Sequence, residues 1–182
     1  MLGRKGNNAL IDERCTTAVA ALESDPFYRS ICGGYGHDAV GRRLVLERYF
    51  AYSIEEGEDL GRCFHLAGRA RGVAVWLLPQ SAGVQSLAAR NKRAFLEQTL
   101  DEEGCANYYR IFEFMTRQSE GVVGDDAWYL SIVAVHPTAQ GQGLGRKLWN
   151  RRLPKRIAAP RPVISRPSIT EASRSTSVWG LP

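Results

Sequence analysis

Three glycines alternate with larger residues in Gln140-Gly141-Gln142-Gly143-Leu144-Gly145, and a basic pair, Arg146-Lys147, follows at once. Glycine has no Cβ, so the backbone N–H groups of such a run can close on a ligand. A helix that starts here turns its first unpaired N–H groups and the positive end of its dipole onto the same spot. That combination selects an anion, above all a phosphate. Arg146 and Lys147 work against the dipole in a first helical turn and in favour of anion capture. The spacing is G-x-G-x-G, which fits neither the dinucleotide fingerprint G-x-G-x-x-G nor the P-loop.

The loop needs an element to aim it. Immediately upstream, "WYLSIVAV" (128–135) predicts a strand that Pro137 ends. Simple alternation places Trp128, Leu130, Ile132 and Ala134 on one face and Tyr129, Ser131, Val133 and Val135 on the other. Both faces are largely apolar, which predicts a central strand covered on both sides. Further upstream, a short helix is expected from about Thr16, and Asp25-Pro26 fits an N-cap and first helical position. Gly33, Gly34 and Gly36 then end that second helix in a loop that would suit either a mobile lid or an ordinary surface turn. Helical spacing of Val40, Leu44, Leu46, Phe50 and Ile54 predicts a third helix. A β-hairpin is expected with arms 63–67 and 73–78. Two more helices follow over 86–118, divided near Gly104.

The order strand, Val-x-Pro, Gln-x-x-Gly-x-Gly, helix over Trp128–Leu148 resembles the acetyl-CoA-binding signature of the GNAT superfamily of N-acetyltransferases. "DPFYRSI", a helix and "GVAVWLLP" upstream are similar to its puromycin N-acetyltransferase-like branch. The likeness spans about Thr16 to Leu148. It implies an α/β fold with a mixed, bent sheet flanked by helices. It also implies acetyl-CoA as cofactor, with the Val133-Ala134-Val135 backbone edge along the pantetheine arm and the N–H groups from Gln140 to Gly145 on the pyrophosphate. The acceptor would be a primary amine, of a small molecule, attacking directly in a ternary complex.

Transfer needs a deprotonated amine, a donor such as a strand N–H that polarises the thioester carbonyl, and a proton for the leaving thiolate. Asp125 and Asp126 near the strand start are candidate bases, and Ser131 could order a water. Each carboxylate reads equally as a solvated turn acid, as does Glu120. Phe27, Tyr28, Tyr35 and Trp76 could shape the acceptor side, although aromatics at such spacing usually fill a core. Cys105 has no partner pattern that would make it a nucleophile.

Composition narrows the alternatives. The 182 residues suit one domain. No apolar run approaches the ~18 residues a membrane span requires, and the basic start "MLGRKGNNALIDER" lacks the apolar core of a secretory signal, so a cytoplasmic chain is expected. Cys15, Cys32, Cys63 and Cys105 form no CxxC pair and His37, His65 and His136 are isolated, so reduced thiols and no metal site are expected. The charge of +5 is concentrated: from Trp149 onward seven basic residues face one acid, Glu171, leaving the remainder at −1. A basic nucleic-acid-binding domain is therefore not supported by the body of the chain.

Domain organisation reads as a poorly matched segment 1–15, an incomplete acetyltransferase domain 16–150, and a basic Pro/Arg/Ser-rich tail 151–182. The superfamily continues here with further strands and a Phe-Tyr-Glu-x-Leu-Gly-Phe-like motif whose tyrosine commonly serves as general acid. This tail has no such motif, and the usual C-terminal strands are expected to be missing. Moving the frame back by one base over Ser175–Gly180 permits codons for Phe-Tyr-Glu-Arg-Leu-Gly. The same shift over Val163–Arg166 permits Cys-Tyr-Leu-Glu, similar to the missing strand. The tail thus reads as a frame change near Trp149, with Pro154 cutting short the helix after Gly143. Two rivals stand beside the transferase: a catalytically inactive acetyl-CoA-binding domain, and a basic-tailed protein that binds nucleic acid or another partner.

Overall fold

The computed structural model describes residues 12–66, 68, 71–124, 126–151 and the backbone of 163–165. It is an α/β structure. Three helices come first: α1 (Glu13–Leu22), α2 (Pro26–Ile31) and α3 (Ala39–Leu60). The hairpin β1 (Gly61–Leu66) and β2 (Gly72–Leu77) follows, then α4 (Ala82–Thr99), α5 (Glu102–Ser119), β3 (Trp128–Val135), α6 (Leu144–Asn150) and β4 (Val163–Ser165). The sheet order is β1-β2-β3-β4, antiparallel except for the last pair, which is parallel.

Helix starts follow local chemistry. The Asp12 carboxylate accepts from the Arg14 N–H, so α1 begins three residues before the expected Thr16. Asp25 caps α2 through the Phe27 N–H at 2.8 Å with Pro26 in its first turn, as its sequence predicts. Asp101 caps α5 through the Gly104 N–H at 2.7 Å, so the α4–α5 break falls at Leu100-Asp101 and Gly104 lies inside the helix. Gly104 is there for contact: a Cβ would stand 2.2 Å from the Ile31 carbonyl oxygen.

One face of the sheet carries the main core, where Val73, Val75, Ile132 and Ala134 meet Val19 of α1, Ile31 of α2 and Val45, Tyr49 and Phe50 of α3. The other face carries Ala74, Trp76, Trp128 and Leu130, packed under Leu148 of α6. Trp76 makes edge contacts with Trp128 and Trp149, its ring centre 6.3 Å and 5.6 Å from theirs, which fastens α6 to β2.

Three expectations need correction. Val40 and Leu44 do not face the core; they are 71% and 55% exposed, and the buried stripe of α3 is Val45, Leu46, Tyr49, Phe50 and Ile54. The even residues of β3 do not share a face. Val75 pairs with Ile132 but Trp76 pairs with Leu130, so the register passes over Ser131 as a bulge. A bulge adds one residue and inverts the alternation beyond it; Trp128 and Leu130 join the α6 side, Ile132 and Ala134 the α1–α3 side. Finally, the tail is not wholly irregular, because β4 runs parallel to β3 with Val163 opposite Trp128 and Ser165 opposite Leu130. Residues 1–11, 152–162 and 166–182 lie outside the described residues, so the readings of the N-terminal segment and of the rest of the tail do as well.

Candidate functional site

The two edges of β3 differ. On one side β2 follows it from Tyr129 to Val135. On the other, β4 pairs only with Trp128, Tyr129 and Leu130. Among the described residues, the Ser131–Val135 edge therefore has no strand beside it. The bulge at Ser131 follows the last described β3–β4 pair. Of the candidate cofactor residues here, Val133 is 37% exposed, Ala134 buried and Val135 half-buried.

The strand's end is tied down. The His136 N–H donates to the Arg71 carbonyl at 3.0 Å, and the chain enters a 3₁₀ turn, Pro137–Ala139. His136 Nδ1 accepts from the Thr138 N–H at 3.3 Å and lies 2.9 Å from its hydroxyl. The Gln140 side chain turns back and donates to the Val135 carbonyl at 3.0 Å, so this candidate ligand residue also holds the loop against the strand. Sequence reasoning missed that buttress; the signal was the His-Pro-Thr turn, which sets Gln140 five residues past Val135.

Beyond it, Gly141 and Gly143 adopt φ of 78° and 70°, the left-handed region where a side chain is strained. Gly143 sits at the start of α6 with no side-chain cap. Among the described residues, a Cβ at Gly141, Gly143 or Gly145 would meet nothing within 4 Å, so these glycines serve the backbone's path rather than packing against those residues. Gln142 is exposed, Arg146 and Lys147 are exposed, and Leu144 is buried and anchors the turn. The bulge, the open edge, the glycine turn and the uncapped helix start are thus consecutive, and Leu144, Leu148 and Trp149 fix the helix that carries the last of them.

The catalytic candidates come from β3 and from the turn before it. Ser131 is 7% exposed at the bulge. It lies three residues into the strand, about 10 Å of rise from Trp128, and the exposed Asp126 lies before that. Asp125 lies outside the described residues. Glu120 caps the end of α5 and is exposed. Trp76 belongs wholly to the core, its indole N–H buried without a hydrogen-bond partner among the described residues. Phe27 and Tyr28 are buried, and Tyr35 packs at the core's margin. The Gly33–Tyr35 turn packs on the start of α5: a Cβ at Gly34 would fall 2.0 Å from the Asp101 carboxylate. Burial pushes the Cys105 thiol up, away from the thiolate a nucleophile requires.

The four cysteines are free, and no metal-binding cluster of His, Cys, Asp and Glu occurs among the described residues. No described helix is long and apolar enough to cross a membrane. No protein-family model matches the chain, and no curated protein matches it.

Proposed function

We propose that this chain is built as an acetyl-CoA-dependent N-acetyltransferase domain. One observation carries the reading: among the described residues β4 pairs only with Trp128–Leu130, and beyond the Ser131 bulge the rest of that β3 edge leads straight into a left-handed glycine turn at a helix start with no side-chain cap. A strand edge offers alternating N–H and C=O groups to an amide-bearing arm, as pantetheine is. The turn offers exposed N–H groups to a diphosphate. Arg146 and Lys147 add charge from the same turn. The fit rests on open space, since the three glycines have no neighbour within reach of a Cβ.

The reaction this supports is direct. The acceptor's neutral amine nitrogen attacks the thioester carbonyl, a C–N bond forms, and the C–S bond breaks. The nitrogen releases a proton and the departing thiolate takes one up. A bulge re-aims the backbone at one point of a strand, and donors held in place there stabilise the oxyanion without reorganisation. In this reading Ser131, at the bulge, orders a water that relays the amine's proton. Asp126 precedes the strand and is given no role, and no residue takes the acid role in this proposal.

The rival, an acetyl-CoA-binding domain without turnover, shares the site and differs only in the missing acid and base. Calorimetry with acetyl-CoA, run beside an assay of released thiol, separates them. Binding with turnover in the presence of primary amines supports the transferase, and binding alone supports the inactive domain. Absence of binding overturns both. Salt-sensitive nucleic-acid binding lost on removal of the tail would instead support the third reading.

A further inference from the structure

The junction of the first three helices holds a cleft that the proposed transfer chemistry does not use. Glu23 at the end of α1, Arg29 of α2, Cys32, Gly33 and Gly36 at the turn that follows, and Arg42 of α3 line about 380 Å³, within the roughly 300–1,000 Å³ of small-molecule sites. The glycine-rich turn, which reads in the sequence as either a lid or a surface loop, is a wall of this cleft, held by its own backbone. The Tyr35 N–H donates to the Cys32 carbonyl at 3.1 Å, the Gly36 N–H to the Gly33 carbonyl at 3.0 Å, and the Asp38 N–H to the Tyr35 carbonyl at 2.8 Å. Those bonds set the Gly36 carbonyl where it accepts from the Arg42 guanidinium, so Arg42 is oriented before any ligand arrives.

Positive charge outweighs negative in this lining. Arg29 stands exposed in the last turn of α2, with no hydrogen bond or ion pair among the described residues. Arg42 gives a donor to Gly36 and has no carboxylate partner among those residues, so most of its N–H groups remain. Neighbouring carboxylates are engaged elsewhere. Asp25 accepts from the Phe27 N–H at 2.8 Å and Asp38 from the Gly41 N–H at 2.9 Å. Asp101 and Glu103 of α5 stand against Gly34 and Gly33 but do not line the cleft. Glu23 is the one acid of the lining among the described residues, and it pairs with neither arginine. Burial pushes the Cys32 thiol up to about 11, so it adds no negative charge at neutral pH. Two guanidiniums against one carboxylate leave the cleft net positive, with forked donors that match carboxylate and phosphate oxygens.

We infer that this cleft is a binding site for a small dianion, a phosphate monoester or a dicarboxylate, held by Arg29 and Arg42. None of the lining residues belongs to the proposed cofactor site, so the inference stands or falls apart from the transferase reading. The test titrates the full chain by calorimetry with inorganic phosphate, with succinate and with acetate, while chloride holds the ionic strength constant. At least one dianion binds saturably, and acetate does not. Phosphate alone marks a phosphate site, succinate alone a dicarboxylate site, and both together a site that reads charge. Arg29→Gln and Arg42→Gln each weaken the dianion roughly tenfold, the scale of a lost charge-assisted hydrogen bond. Glu23→Gln tightens it by removing a like charge. Arg29 is exposed and holds no partner among the described residues, so its variant keeps the test clear of misfolding. Arg146→Gln, at the glycine turn, leaves the dianion unchanged. No saturable binding of either dianion, acetate bound as tightly, or binding that Arg29→Gln and Arg42→Gln leave unchanged overturns the inference. Loss in Arg146→Gln alone overturns it as well and moves the anion to the glycine turn.

Discussion

Trp76 stands opposite Leu130, while its neighbour Val75 stands opposite Ile132. That single skipped position lets one strand serve two cores. Deleting Ser131 would remove the extra residue and leave Trp76 opposite Leu130 and Val75 opposite Ile132, so both cores would keep their faces. The expected outcome is a variant that keeps the near-ultraviolet circular dichroism of the Trp76–Trp128–Trp149 cluster and cooperative thermal unfolding. Loss of both in the deletion variant would show that the bulge itself is needed for the fold.

The glycine turn separates stability from binding. Gly143 at φ 70° is strained by any side chain, so Gly143→Ala should destabilise by about 1 kcal/mol. Gly145 lies in the first turn of α6 with open space around it, so Gly145→Ala should stabilise by up to about 1 kcal/mol. Both should weaken coenzyme A, because both add a methyl where main-chain N–H groups are proposed to meet phosphate. Calorimetry beside thermal melts checks this, and tighter binding in Gly145→Ala would place the diphosphate elsewhere.

Cys15 and Cys32 set a pH limit. Burial, aided by the nearby Glu47 and Asp101 carboxylates respectively, pushes both thiols up to about 11 from an ordinary 9.0. The folded state therefore holds these protons more tightly than the unfolded chain. Their contribution is complete below pH 9 and is lost as pH climbs towards 11. Denaturant midpoints should fall across that window, and the fall should shrink in a Cys15→Ala, Cys32→Ala variant. At pH 8 a thiol reagent should modify Cys63 and Cys105 well before either buried thiol.

Local chemistry was legible where it was strong. Asp25-Pro26, the hairpin arms and the ends of Trp128–Val135 follow from caps, alternation and Pro137, and the structure has them. What failed needed tertiary information. Val40 and Leu44 have the right spacing but sit at the N-terminal end of α3, where they stay in solvent. The Ser131 bulge leaves no mark in an apolar run, because either face would accept those side chains. The packing of Phe27 is half legible: its place after Asp25-Pro26 is local, but Tyr108 is brought to it only by the docking of α5 on α2, through Gly104 against Ile31 and Asn107 donating to the Ser30 carbonyl at 2.8 Å.

Lys92 shows a further cost hidden from sequence. On α4, its ammonium pairs with Glu56 of α3 at 3.0 Å and stands 4.5 Å from the Tyr52 ring centre and 5.2 Å from that of Tyr49. Both charged side chains are mostly buried, 16% and 12% exposed. Removing one partner strands the other, so Lys92→Ala should cost about 2–3 kcal/mol by urea unfolding. Replacing both, as in Lys92→Met with Glu56→Gln, should cost less than the single alanine.

The tail offers the last test. Val163-Ile164-Ser165 lies in the stretch where a one-base shift permits a superfamily-like strand, and the backbone at that place runs parallel to β3 beside Trp128–Leu130. Three residues of pairing hold little by themselves; a few cross-strand contacts contribute only about 0.2–1 kcal/mol each. A shifted frame would permit Cys-Tyr-Leu-Glu at this position and the motif tyrosine that the resemblance implies as acid. α6 ends at Asn150. Sequencing the gene across codon 149 should find the shifted frame open through the codons of Ser175–Gly180, and expressing that frame should raise amine-dependent thiol release above that of the present chain. Stop codons in the shifted frame between codon 149 and codon 182 would sink the idea, and β4 would then stand as this chain's own edge.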